Sequence, residues 1–140
     1  MSTTTTRRRI AADPTSTALL LAGPAAVELW PDTRRTGQQA GRLRVVTELP
    51  DGNSEVTVRA LPPQRTPVAF VSRFDIAGPD VPAVTATLTL GYASGQHTDA
   101  RLDLEIGAGG SPLVRQVLPL RAARFLDNLA AAAEERATAA

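Results

Sequence analysis

The sequence predicts an α+β domain: an antiparallel sheet of six to seven strands, two short helices after the first strand, and one long C-terminal helix. Three observations carry that class. Five stretches between residues 41 and 106 alternate apolar and polar side chains with period two, as in a sheet with one buried and one wet face. Ahead of them, Asp13-Pro14 and Gly23-Pro24 punctuate two short helical segments. Behind them, apolar residues recur at helical spacing from Leu113 to about Arg136.

The elements follow in chain order. The β-branched start of "TTTTRRRIA" fits an edge strand that begins raggedly, so residues 1–6 are expected to be a disordered tail and the domain to span 7–137. Asp13 is a good N-cap and Pro14 a good first helical residue, giving a helix from Pro14 to Ala22 that ends at Gly23. Pro24 opens a second helix to Leu29, which Pro31 stops after Trp30. A polar strand is expected near Asp32 to Gln38. "GRLRVVTEL" then places Leu43, Val45, Thr47 and Leu49 on one face, and Asp51-Gly52 marks a hairpin. "SEVTVRAL" returns with Val56, Val58 and Ala60 inward, and "PPQRTP" makes the next turn. "VAFVSRFDI" puts Val68, Phe70, Ser72, Phe74 and Ile76 together. "VTATLTLGY" does the same for Val84, Ala86, Leu88, Leu90 and Tyr92, and "TDARLDLEI" for Leu102, Leu104 and Ile106. Ser111 caps the last helix and Pro112 starts it. Leu118, Ala122, Phe125, Leu126, Leu129 and Ala133 share its apolar face, and Arg121, Arg124, Asp127, Asn128 and Glu135 take the polar one. Pro119 should kink this helix or detach its first turns, and residues 138–140 should fray.

Composition removes several function classes. The chain has 140 residues, 43% of them hydrophobic, enough for one sizeable core. Fifteen basic residues, all arginine, face 14 acidic ones, and a net charge of +1 lacks the one-sided excess of a nucleic-acid binder. The absence of cysteine excludes disulfides, thiolate metal sites and a thiol nucleophile, and a single histidine excludes a multi-histidine metal site. No metal or cofactor is expected. The basic triplet Arg7-Arg8-Arg9 could open an export signal. However, Asp13 to Thr17 separate it from the apolar run Ala18 to Ala22, Gly23-Pro24 interrupts that run, and Glu28 closes it. The expectation is a cytoplasmic protein that retains this segment, without stable membrane insertion.

"ADPTSTALLLAGPAAVELWP", "TDARLDLEI" and "PLRAARFLDNLAAAAEE", in that order and at that length, resemble the helix-grip fold of the START / polyketide cyclase–dehydrase (SRPBCC) superfamily. The resemblance covers roughly Arg7 to Arg136 and rests on pattern rather than on a tight motif. It implies a curved sheet gripping the C-terminal helix, with a cavity between them for a hydrophobic small molecule of polyketide or lipid type. It also places Trp30 near the cavity mouth. Periodicity alone leaves a dry core and a ligand cavity equally open, although the small inward residues Ala60, Ala86, Ala122 and Ala133 favour space.

The candidate ligand-binding set is Trp30, Phe70, Ser72, Phe74, Leu88, Tyr92, Leu104 and Phe125. Candidate chemistry is sparse. Ser72, inward between two phenylalanines, could orient a polar group or simply bond to backbone. Tyr92, near a strand end, could donate to a ligand carbonyl or pack with its hydroxyl at the rim. Arg73 points outward if the alternation is unbroken, and a bulge would reverse it. His97 in the turn "SGQHTD" is read as solvated, and the Arg101/Asp103/Glu105 stripe as a wet face. Three functions follow. One is a cyclase or dehydratase that holds a flexible chain in a near-attack shape. The others are a non-catalytic carrier or sensor of a hydrophobic ligand, and an interaction module with a filled core. The chain could be a monomer or a homodimer.

Overall fold

The computed structural model describes residues 2–22, 24–61 and 63–139. Eight strands form one antiparallel sheet: β1 (Ser2–Ile10), β2 (Thr33–Gln39), β3 (Arg42–Leu49), β4 (Gly52–Ala60), β5 (Gln64–Arg65), β6 (Ala69–Gly78), β7 (Val81–Ala93) and β8 (His97–Ile106). Their order across the sheet is β1-β8-β7-β6-β4-β3-β2, with two-residue β5 beside β6. Helix α1 (Pro14–Leu19) and a 3-10 helix (Pro24–Leu29) connect β1 to β2, and α2 (Pro112–Ala139) closes the chain.

Local chemistry places these elements. Asp13 caps α1, accepting from the Ser16 amide at 3.1 Å and the Ser16 hydroxyl at 2.6 Å. Ser111 caps α2 by accepting from the Val114 amide at 3.2 Å. Leu49 faces Gly52 across the first hairpin, so Pro50 and Asp51 form its loop. Gly110, just before α2, has φ +74°, and a Cβ there would lie 2.6 Å from Pro82 Cδ. The pairing register shifts between Arg35 and Gly37 on β2 and between Ile76 and Gly78 on β6.

Four boundaries depart from the sequence reading. β1 starts at Ser2 rather than Arg7, because β8 supplies a partner for every residue from Ser2 (opposite Ile106) to Ile10 (opposite Thr98). The threonines of the expected tail are therefore a paired edge strand. Helix α1 ends at Leu19, short of Ala22, and Gly23 lies outside the described residues. Within the expected turn "PPQRTP", Gln64 and Arg65 pair with Val71 and Phe70. Finally, α2 is one unbroken helix to Ala139 despite Pro119, whose ring nitrogen leaves the Arg115 carbonyl without its helical donor.

The inward face of the sheet divides in two. On the β7–β8 side, Ala86, Leu88, Leu90, Ala100, Leu102 and Leu104 are fully buried against Ala122, Phe125, Leu126, Leu129, Ala130 and Ala133 of α2. On the β3–β4 side, Val45, Val56 and Val58 form a separate cluster with Val27 of the 3-10 helix. The helix seats on the first half and leaves space over the second. No helix among the described residues is long and apolar enough to cross a membrane.

Candidate functional site

That space is a cavity of about 310 Å³, at the small end of the range of roughly 300–1,000 Å³ typical of ligand pockets. Its floor comes from β3 and β4, where Leu43, Val45, Val56, Val58 and Ala60 present the inward face that the alternation predicts. Phe74 and Ile76 of β6 and Val81 and Val84 of β7 form one wall. Leu21, Val27 and Trp30 form another, and Leu118, Arg121 and Phe125 of α2 complete the enclosure. Trp30 stacks on Phe125 with ring centroids 4.7 Å apart and planes 17° from parallel, fixing the α1–β2 connection against α2. Asn128 secures the same junction by donating to the Leu29 carbonyl at 2.7 Å.

Arg121, Thr33 and Thr47 gather at one end of the lining, and Gln38 lies toward the other, opposite Leu43. Arg121 was expected on the wet face of α2, yet its side chain is only 12% exposed and lines the cavity. It sits one helical turn from Leu118 and Phe125, so the stripe facing the sheet is wider than the apolar residues that mark it. Its Nη1 donates to Thr47 Oγ1 at 2.8 Å, its Nη2 donates to the Glu48 carbonyl, and Asp32 Oδ2 lies 3.8 Å away. Thr33 Oγ1 donates to the Pro31 carbonyl at 3.1 Å and is 3.2 Å from Thr47 Oγ1. Because the Thr33 proton is committed to Pro31, Thr47 donates to Thr33 and accepts from Arg121. Two hydroxyl protons are thereby used within the protein. The rest of the five guanidinium N–H donors have no hydrogen-bond partner among the described residues.

Among solved structures, the chain matches the ZhuI aromatase/cyclase of Streptomyces sp. R1128 at TM-score 0.71 and 14% identity, over 97% of this chain and 95% of that one. It matches a START superfamily protein of Mycobacterium smegmatis at TM-score 0.65 and 15% identity, over 96% and 95%. A STAR-related lipid transfer protein of Xanthomonas axonopodis gives TM-score 0.62 and 15% identity, over 92% and 84%. The chain has the helix-grip fold. No family model and no curated protein sequence matches it.

The helix-grip architecture assigns a place to each residue singled out in the sequence. Trp30, Phe74 and Phe125 line the cavity. Leu88 and Leu104 lie in the dry half, fully buried, because α1 packs on β7 and α2 on β8 while β3 and β4 carry the space. Phe70 packs at the edge of the same dry core, and its ring is 6.4 Å from that of Tyr92 and under the Arg65 guanidinium at 5.6 Å. Tyr92 is 48% exposed, at the far end of β7 from the cavity. Ser72 is buried on the inward face opposite Leu88, away from the lining. Arg73 is exposed on the outer face, 3.9 Å from Asp75. His97 Nδ1 is 2.7 Å from the Gly95 carbonyl in its own turn. The three residues considered for catalysis thus stand apart from the cavity, Ser72 and Arg73 on opposite faces of β6 and Tyr92 at the far end of β7. The charged group that lines the cavity is Arg121, and Thr33, Gln38 and Thr47 are its neutral polar residues. An arginine at position 121 within the Leu118–Phe125 turn was the available signal.

Proposed function

We propose that the chain binds an apolar small molecule in the cavity between the β3–β4 floor and α2. One observation carries this reading: a sizeable space is walled by aliphatic and aromatic side chains beside a fully packed core in the same sheet. Burial of the ligand supplies the driving force, at about 25 cal/mol for each Å² of apolar surface removed from water. An interaction module with a filled core would have no use for such a space. Native mass spectrometry of protein purified from its own host tests the proposal. A co-purifying small molecule that leaves on mild unfolding is the expected result, and repeated recovery of ligand-free protein counts against it.

Ring closure on a flexible poly-carbonyl chain is the second reading, favoured by the fold shared with the Streptomyces aromatase/cyclase. A shaped cavity that holds two carbons in contact lowers a cyclisation barrier without a dedicated acid–base pair. Arg121 N–H groups would polarise a carbonyl lodged at the polar end. Conversion of a fed poly-carbonyl substrate, measured against protein-free solution, separates this reading from carriage alone.

A further inference from the structure

Resting on the binding proposal above, we infer that the cavity selects apolar molecules that end in a carboxylate, and that Arg121 is the selecting group. The argument begins with the guanidinium. It is nearly buried, and the lining around it is mainly aliphatic and aromatic. Its two hydrogen bonds go to neutral oxygens, Thr47 Oγ1 and the Glu48 carbonyl. The Asp32 carboxylate is 3.8 Å away and its side chain is 46% exposed, so water screens that attraction. The positive charge is therefore only partly compensated where it meets the cavity.

A ligand that fills the space displaces the water solvating those free N–H groups. An alkane or ring edge set against them leaves donors unpaired in a low-dielectric site, which is unfavourable. A neutral hydroxyl satisfies one donor, but both threonine protons are already committed and the site presents an excess of N–H. A carboxylate accepts from two guanidinium nitrogens at once, the fork-to-fork geometry that arginine favours, and supplies the missing negative charge. Thr47 and the Glu48 carbonyl each take one N–H, so the guanidinium is held in place before a ligand arrives. The remainder of the molecule then lies along Val45, Val58, Phe74 and Trp30.

Displacement of the neutral, environment-sensitive dye N-phenylnaphthylamine by decanoate and by 1-decanol, at about pH 8 where the acid is ionised, tests this. A cavity lacking a cationic group prefers the alcohol, because the carboxylate gives up more hydration on entry. The expected result is displacement by decanoate at a concentration at least about tenfold lower than by decanol. In Arg121→Gln, decanoate should weaken about 10- to 100-fold while decanol changes little. Arg121→Lys, which keeps the charge and loses the fork, should retain part of the preference. Equal displacement by the two ligands in the unmodified protein overturns the inference while leaving the binding proposal intact, and needs no variant to fold. Failure of the dye and of both ligands to bind sinks the binding proposal itself.

Discussion

Val58 lines the cavity from β4, between Leu43 on β3 and Ile76 on β6. Val58→Ile keeps the β-branched backbone preference and adds one methylene pointing into the space. In a packed interior that group would strain its neighbours. Beside vacant volume it gains burial, at most about 0.8 kcal/mol for a fully enclosed methylene. With a urea m-value of about 1–3 kcal/mol/M, the midpoint should rise by up to about 0.3–0.8 M. The matching control is Ala86→Val, on the half of the sheet that the helix covers. Ala86 is 0% exposed and does not line the cavity. Enlarging it should lower stability by about 1–3 kcal/mol through overpacking. The two substitutions should therefore move the urea midpoint in opposite directions, and Val58→Ile should also weaken the dye by occupying its site. A loss of stability in Val58→Ile comparable to that of Ala86→Val would mean the β3–β4 floor is already filled, and the cavity argument would fail with it.

Three further outcomes are expected. Leu126→Ala removes a side chain with 0% exposure from the α2–β8 junction and should cost about 2–5 kcal/mol in urea unfolding, with little change in m. Gly110→Ala forces a Cβ into the left-handed region and against Pro82, so thermal or urea unfolding should show a loss of at least about 1 kcal/mol. The bonds from the Ser16 hydroxyl and amide hold the Asp13 carboxyl below its usual value of 3.8. A lowered folded-state pKa gives stabilisation that is present above about pH 4 and lost as the pH falls through the folded value. Asp13→Ala should accordingly lose about 1 kcal/mol at neutral pH, and its gap from the unmodified protein should narrow as the pH is lowered from about 5 to about 2.

Alternation made the strands legible because one face of each is buried and the other wet, and a register error would have exposed whole rows such as Leu102, Leu104 and Ile106. Both proline-led helices and the Ser111 cap were readable for a similar reason, since backbone groups at helix ends need specific partners. β1 was only half legible. Its threonines carry no apolar signal, and their strand conformation depends on β8, nearly a hundred residues further on. The site was less legible than the fold. Inward residues of all the strands look alike in sequence, whereas α2 lies over β1 and β8, α1 packs on β6 and β7, and β3 and β4 are left open. Phe74 and Phe125 fall at the border and line the cavity; Leu88 and Leu104 obey the same period and lie in the dry half. Arg121 eluded the pattern because charge alone assigned it to water, and only the packing of Leu118 and Phe125 shows that its turn faces inward.

The edge position of β1 bears on how the molecule assembles. Thr5 and Asp103 join their side chains across 98 residues of chain, and the Thr98 hydroxyl meets the Ala12 carbonyl across 86. The neighbouring pairs β3–β4, β6–β7 and β7–β8 close through short connections. β1 is therefore the strand that must wait longest for its partner, since β8 is made only after every other strand of the sheet. Its closure carries the largest loop entropy of any pairing in the sheet. Until then the exposed edge of β8 and the underside of α2 have nothing beside them, and Ile10, buried to 0% in the finished protein, is in water. A strand rich in threonine and arginine suits that interval, because its side chains are as well solvated before pairing as after it.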